Sequence, residues 1–281
     1  MRIAYAAVIL AATGALATYK SSQQEFHFVV LGDRTGGAIP GVYEEALREA
    51  DLDRPDFIMS VGDTIEGGND RTLTAEWQQI RRILAPYRRY RLFLLPGNHD
   101  VWSTASADAF KKYAMRPLHY SFDYQQAHFT MLDNSRSDNM PSDELAFLEK
   151  DLQAHIRQRV KFIFSHRPSW ILQVVLGNPD FAIHRLAKRY GVQYVIAGHL
   201  HEMLHFELDG VTYISIASSG GHLRASKRYE DGWFFQRTFV TVKDDSADFR
   251  IKELGPPFGQ SRITRLEDWG AVGLIKKAGP E

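Results

Sequence analysis

The stretch FHFVVLGDRTGG, residues 26–37, carries an unbroken apolar run that stops on Gly-Asp-Arg-Thr and two further glycines. A short apolar run bounded by glycine reads as a buried strand, and the segment that follows, around Tyr43–Ala50, reads as a helix. Three roles are open to Asp33: the turn that ends the strand, part of a glycine loop cradling a phosphate, or a carboxylate that holds a metal. GDRTGG lacks the Gly-x-x-x-x-Gly-Lys arrangement of a nucleotide loop. The choice between turn and ligand rests on whether the chain supplies partners.

Outward from this point the pattern repeats. FIMSVG (57–62) runs into Asp63, and RLFLLP (91–96) runs into Gly97-Asn98-His99-Asp100. VKFIFS (160–165) runs into His166, and VQYVIAG (192–198) into His199-Leu200-His201. Helices separate these strands. One carries Trp77, Ile80 and Leu84 on a single face, and another lies near 180–190. SDELAFLEKDLQAHI (142–156) is predicted as a helix with Ser142 as N-cap, acids in its first turn and a buried stripe of Leu145, Leu148, Leu152 and Ile156. The rest is richer in strand. HYSFDY and AHFTMLD (119–133) read as neighbours, MLHFELDGVTYISI (203–216) as a hairpin turning at Asp209-Gly210, and two more strands fall near 234–242 and 247–252. The mixture predicts an α/β chain of α+β character, two sheets packed together with helices outside, in one domain over 25–254. Residues 255–281 read as a Pro/Gly-rich tail.

Bulk properties exclude several classes. With 281 residues, 44% hydrophobic and 24% charged, the chain can bury a sizeable core. Lys+Arg and Asp+Glu are both 34, so no net field recruits nucleic acid or an acidic membrane, and no specific nucleic-acid binding is expected. The lack of cysteine excludes disulfides and thiolate ligands. Arg2 precedes IAYAAVILAATGALA, which ends on Ala15-Leu16-Ala17, the pattern of a secretory signal peptide (1–17) cleaved after Ala17. The alternative is an uncleaved anchor, which would tie the protein to a membrane. Either way the domain is expected to be exported, to a bacterial periplasm.

Beyond the carboxyl ends of strands in open sheets, ligands collect, so the five polar tips can converge. They offer carboxylates, one amide oxygen and imidazoles, donors that suit Mn, Fe, Zn, Ni or Co. Each tip alone has an ordinary reading as a turn. GHLH is more specific, since two histidines two apart in extended chain project to one side. His27, His119, His128, His155, His184 and His205 are read as core or surface histidines.

Taken in order, GD (32–33), GD (62–63), GNHD (97–100), His166 and GHLH (198–201) resemble the blocks of the calcineurin-like metallophosphoesterases. HYSFDYQQAHFTMLDNS resembles that family's hairpin and corner, and DELAFLEKDL the helix before its metal-binding histidine, so the likeness spans about 26–220. It implies a four-layer α-β-β-α sandwich and two divalent or trivalent metal ions, Mn, Fe or Zn, with Mg at the weaker site. It further implies that Asp33, Asp63 and His201 hold the first metal, and that Asp63, Asn98, His166 and His199 hold the second. Asp63 would bridge, and a water between the cations would attack phosphorus in line. His99 maps to the family's catalytic histidine, with Asp100 orienting it. One position departs: where the family reads Asp-x-His, residue 35 is threonine. Thr35 is expected to leave the first metal weaker, completed by water or by the hydroxyl itself. Arg34, Arg167 and His222 are candidate contacts for a small phosphorylated substrate, and Trp102, Trp170 and Trp233 are read as packing residues near it. The expected reaction is hydrolysis of phosphate mono- or diesters. Pyrophosphate-bond hydrolysis on the same metals, or a non-catalytic exported binding protein keeping the fold, are the alternatives.

Overall fold

A computed structural model describes residues 25–223 and 227–270. The expected signal peptide, 1–17, and the end of the expected tail lie outside these residues. Among the described residues no helix is long and apolar enough to cross a membrane.

Strand β1, Glu25–Leu31, shows why its run is unbroken. Phe26, Phe28 and Val30 face one buried layer, while Val29 and Leu31 face another under helix α1, Val42–Leu52. A strand covered on both sides has no polar face to alternate with. Parallel to it run β2, Phe57–Ser60, and then β3, Arg91–Leu94. Helices α2, Leu73–Leu84, and α3, Thr104–Ala114, cover that edge. The sequence reading omits α3, although Ser103 caps it by accepting from the Ser106 amide.

The second sheet begins with β4, Tyr120–Tyr124, and β5, Ala127–Met131, and continues through β6, Val160–Phe164, and β7, Tyr194–Ala197. Its last members are the hairpin strands β8, Leu204–Leu208, and β9, Val211–Ser215. Asp209 (φ 47°) and Gly210 (φ 77°) form the turn, both left-handed as a two-residue hairpin requires. The order is β4-β5-β6-β7-β9-β8. Outside this sheet pack α4, Ser142–Ala154, the short α5, Ile171–Val175, and α6, Ala182–Tyr190.

The first sheet is completed by β10, Gln236–Lys243, β11, Ser246–Glu253, and β12, Ile263–Arg265, in the order β12-β11-β10-β1-β2-β3. The sheets meet through stacked and edge-on phenylalanines: Phe28 on Phe57 at 5.1 Å, Phe129 on Phe162 at 4.8 Å, and Phe28 edge-on to Phe129 at 5.4 Å. This is the four-layer metallophosphoesterase sandwich.

Two expectations need correction. The N-cap of α4 is Pro141 and Ser142 is its first residue; the helix stops at Ala154, which leaves Ile156 52% exposed. Its buried face holds Glu144 and Asp151 beside Leu148 and Leu152, because the Ser121 and Thr130 hydroxyls of β4 and β5 donate to Asp151, while His119 ahead of β4 and the Asp133 amide after β5 hold Glu144. The domain also passes its expected end at 254. β12 pairs with β11, and Trp269 is buried against Phe234 at 4.7 Å. A three-residue strand carries too little periodicity to be read from sequence.

Candidate metal centre

The parallel strands β1, β2 and β3 deliver Asp33, Asp63 and Asn98 to one edge of the first sheet, while β6 and β7 deliver His166, His199 and His201 from the second. All six come together. Asp33, Asp63 and His201 form one group whose donor atoms lie within 4.8 Å of each other, and Asp63, His166 and His199 form another, so Asp63 belongs to both. Asn98 joins the second group, its Oδ1 3.0 Å from His166 Nε2.

Backbone carbonyls orient the imidazoles. His166 Nδ1 lies 2.8 Å from the Val61 oxygen and His201 Nδ1 lies 2.7 Å from the His222 oxygen. A carbonyl can only accept, so the proton of each ring is held on Nδ1 and Nε2 is left to offer a lone pair. His166 Nε2 faces two acceptors, Asp63 Oδ1 at 3.3 Å and Asn98 Oδ1 at 3.0 Å, so either a proton on that nitrogen or a cation in its place would satisfy them. Asp33 accepts the His199 amide through both oxygens, at 2.9 and 3.1 Å, and stands 3.8 Å from His201 Nε2. The loops are tight. A Cβ on Gly97 would fall 2.1 Å from Asp63 Oδ1, which accounts for glycine ahead of Asn98. Asp63, His199 and His201 all adopt left-handed φ, of 54°, 71° and 60°, a strain that clusters at functional sites.

Charge is concentrated on buried side chains. Burial pushes the His166 imidazole down, but Asp63 and Asp33 outweigh it and raise the group to about 9. Burial opposes the ionised Asp63, yet His166 and His99 hold it below the ordinary carboxylate range. Asp33 moves up, because its burial exceeds the pull of His201 and His166.

His99 stands half-buried beside the cluster. Its amide donates to Asp63 Oδ1 at 2.9 Å, and its Nδ1 lies 2.5 Å from the Glu66 carbonyl. That carbonyl, not Asp100, orients the ring. Asp100 is buried, and its carboxylate accepts the amides of Thr64, Ile65 and Gly97 at 2.9, 3.1 and 2.9 Å. It braces the two loops on which Asp63 and Asn98 stand. Burial and the nearby Asp63 charge raise it to about 7.

The expected substrate contacts divide. Arg167 Nη1 is 3.4 Å from His199 Nε2, and the guanidinium also pairs with Asp138. Arg34 is turned to the Thr64 carbonyl at 3.1 Å and lies 5.9 Å over Tyr43. His222 is exposed and contributes its backbone oxygen to His201. Thr35 is buried, and its hydroxyl bonds to the Glu66 carboxylate. Two residues escaped the sequence reading. Glu66 is one, and Asn134 is the other: its Oδ1 accepts the amides of His166 and Arg167, both at 3.0 Å. The ordered appearance of Asn134 in the LDNS corner was the available signal.

A third group, Asp123, His128 and His155, lies under α4. His128 there has both ring nitrogens on carboxylates, Asp123 at 2.7 Å and Asp151 at 2.8 Å, the arrangement of a satisfied core histidine. Trp170 is fully buried against Tyr213, as a packing residue.

A two-sheet sandwich with carboxylates and imidazoles meeting at its strand ends defines a metallophosphoesterase. Residues 26–203 match the calcineurin-like phosphoesterase family, and the chain belongs to it. It is similar to 3',5'-cyclic adenosine monophosphate phosphodiesterase CpdA of Escherichia coli (strain K12), 27% identical over 203 residues that cover 69% of this chain and 70% of the relative. It is also similar to purple acid phosphatase 23 of Arabidopsis thaliana, 27% identical over 176 residues, 53% of this chain but only 38% of that one. The fold matches that of purple acid phosphatase PPD1 from yellow lupin (Lupinus luteus) with a TM-score of 0.66 at 13% identity, covering 87% of this chain and 53% of that chain.

Proposed function

We propose that the protein is a metal-dependent phosphoesterase, hydrolysing phosphate mono- or diesters of small molecules at a dinuclear centre. The observation that carries this reading is the sharing of Asp63 by two groups of converging acceptors. With Nδ1 of His166 and His201 held by the Val61 and His222 carbonyls, the inward nitrogens and the carboxylate oxygens converge, and a cation would take the place of a proton between them. Among the described residues, the buried Asp63 Oδ2 has no hydrogen-bond partner. Such convergence calls for cations, and the oxygen and nitrogen donors fit Mn, Fe or Zn.

Asp33, Asp63 and His201 would hold the first metal, and Asp63, Asn98, His166 and His199 the second. When bound, the pair supplies Lewis acidity toward phosphoryl oxygens and a water of lowered pKa. The chain's own groups do the rest. His99, its ring fixed through Nδ1 by the Glu66 carbonyl, can as the doubly protonated ring pass the proton on Nε2 to the leaving oxygen. Arg167 stands against His199, and its Asp138 partner is 87% exposed, so the guanidinium can exchange that ion pair for a phosphate oxygen. The phosphatase and cyclic-nucleotide phosphodiesterase relatives support mono- and diesters as the substrate classes.

The test is a panel of phosphomonoesters, cyclic and linear diesters and nucleotide pyrophosphates, run on stripped protein with Mn, Zn, Fe or Mg restored singly. Turnover of esters with one of these metals is expected. Turnover confined to pyrophosphate bonds would move the reaction class. Tight metal binding without any turnover would favour the binding-protein reading. We propose export as well, on the strength of residues 1–17. N-terminal sequencing should find a start near Thr18 in a periplasmic fraction; Arg2 or Ile3 on membrane-bound protein would show an anchor.

A further inference from the structure

Arg81, Arg82, Arg88, Arg91 and Arg116 line one cleft of about 820 Å³, set between the ends of α2 and α3 and the edge strand β3. Among the described residues no acidic one lines it. None of these arginines stands within ion-pair distance of a described carboxylate, whereas Arg89, in the same segment, pairs with Asp51. Arg88 Nε donates to the Ala85 carbonyl at 3.2 Å, and Arg116 lies over the rings of Phe93 at 5.0 Å and Tyr120 at 5.5 Å. Arg81 and Arg82 sit in the last turn of α2, where a cation answers the helix dipole. Arg88, Arg91 and Arg116 lie outside the last turn of either helix, so the dipole leaves their like charges without an opposite one.

The rest of the lining is mainly aliphatic. Leu84 and Leu92 are half-buried and Leu94 is buried, which gives the cleft an apolar base. Met115 caps the end of α3 in a left-handed conformation, φ 53°, and is 82% exposed. Glycine is the ordinary residue at such a cap, because a Cβ is strained there. Methionine adds both strain and exposed apolar surface to the mouth of the cleft, and its flexible thioether chain suits it to folding over a bound apolar group. The two tyrosines of the lining are engaged elsewhere: Tyr90 donates to Asp51 at 2.7 Å, and Tyr113 stacks on Trp77 at 5.8 Å. From this pairing of unpaired guanidiniums with an aliphatic base we infer that the cleft binds an amphipathic organic anion, a phosphate or carboxylate head on an aliphatic body. Guanidinium forks match the oxygens of such heads in pairs, and the leucines and Met115 take the body. The volume falls within the roughly 300–1,000 Å³ of small-molecule sites, far more than a bare phosphate fills. Arg91 opens β3 at one end, whereas Asn98 follows its other end, and the cleft shares no lining residue with the metal centre. Binding here is therefore independent of the dinuclear reading.

Fluorescence titration with anilinonaphthalene sulfonate, an apolar anion that carries no phosphate ester, tests this on the full-length protein. One saturable site is expected, weakened by high salt and emptied by decylphosphonate held below its micelle concentration. Arg82→Ser combined with Arg91→Ser removes two exposed guanidiniums and should weaken both ligands by about tenfold or more, the scale of lost charge-assisted bonds. Arg91→Lys alone keeps the charge and should keep most of the affinity. Met115→Gly relieves the strained cap, so it should raise the urea midpoint while weakening the site. Arg71→Ser, at an exposed arginine outside the cleft, is the matched control and should change nothing. Circular dichroism on each variant checks that it is folded. Unchanged affinity in the Arg82→Ser, Arg91→Ser protein, or an equal loss in Arg71→Ser, would overturn the assignment of the site to this cleft. Displacement by inorganic tripolyphosphate as effective as by decylphosphonate would reduce the cleft to a bare anion site. Tighter displacement by α,β-methylene-ADP would replace the aliphatic body with a nucleotide, and either result would overturn the amphipathic ligand.

Discussion

Asp63 Oδ1 meets His166 Nε2 at 3.3 Å across the junction of the two sheets, and the same oxygen accepts the His99 amide at 2.9 Å. One carboxylate thus joins the end of β2 to the end of β6 and fixes the loop that carries His99. Substitution of Asp63 by asparagine keeps the size but replaces one acceptor oxygen with a donor amide. Asp63→Asn should lose metal from both groups and turnover with it. Elemental analysis alongside the ester assay checks this; full metal content would end the role of Asp63 as a shared ligand.

The glycine-then-ligand tips at the ends of β1, β2, β3 and β7 were legible because they recur, and because each strand is buried at least toward its carboxyl end and so runs into the tip as a plain apolar stretch. Such a run needs no knowledge of its partners. What stayed hidden depends on tertiary partners. Glu66 looks like an ordinary loop glutamate until the chain folds it onto Thr35, and nothing near His99 in sequence indicates that a carbonyl thirty-three residues away orients it. Glu144 and Asp151 were hidden on α4 for a related reason. A helical stripe is sought among apolar residues, while here His119, just ahead of β4, and Thr130 of β5 supply polar partners for buried acids.

His99 should separate chemistry from metal binding. Its imidazole is held by the Glu66 carbonyl, and it belongs to neither converging group. His99→Ala is expected to keep both metals and lose roughly 10²–10⁴-fold in turnover, the scale of a positioned acid. Loss of a metal ion in this variant would make His99 a ligand and remove it as the proton donor.

The metal-free protein should show a pH dependence that metal abolishes. The folded state raises His166 from 6.5 to about 9, so the stability it contributes is complete below 6.5 and is lost as pH rises through about 9. Asp100, raised from 3.8 to about 7, acts with the same sign in a lower window. Urea unfolding in chelator should therefore lose stability between pH 7.5 and 9.5, above the Asp100 window. His166→Asn should flatten that interval, and bound cation should flatten it too, since ligation requires the neutral ring. An equal slope in the His166→Asn protein would assign the effect to other groups.

Gly97 holds no donor atom, yet it should matter as much as a ligand. A Cβ there would lie 2.1 Å from Asp63 Oδ1 and 2.3 Å from the Asp63 backbone nitrogen. A flexible side chain can move aside, but a backbone nitrogen moves only with its loop, and this loop is held by Asp100 through the Thr64 and Ile65 amides. The Gly97 amide is fixed by the same carboxylate at 2.9 Å, so neither side of the contact can yield alone. Gly97→Ala should cost about 1–3 kcal/mol of stability, the usual scale of overpacking. Because relief must displace either Asp63 or Asn98, both metal sites should weaken, although the substitution removes no ligand. Urea unfolding and Mn²⁺ titration on the same preparation give the two readouts. If Gly97→Ala unfolds at the original urea concentration and binds both ions with unchanged affinity, the loops are looser than these contacts require, and the close approach of Gly97 to Asp63 is not what fixes the shared carboxylate.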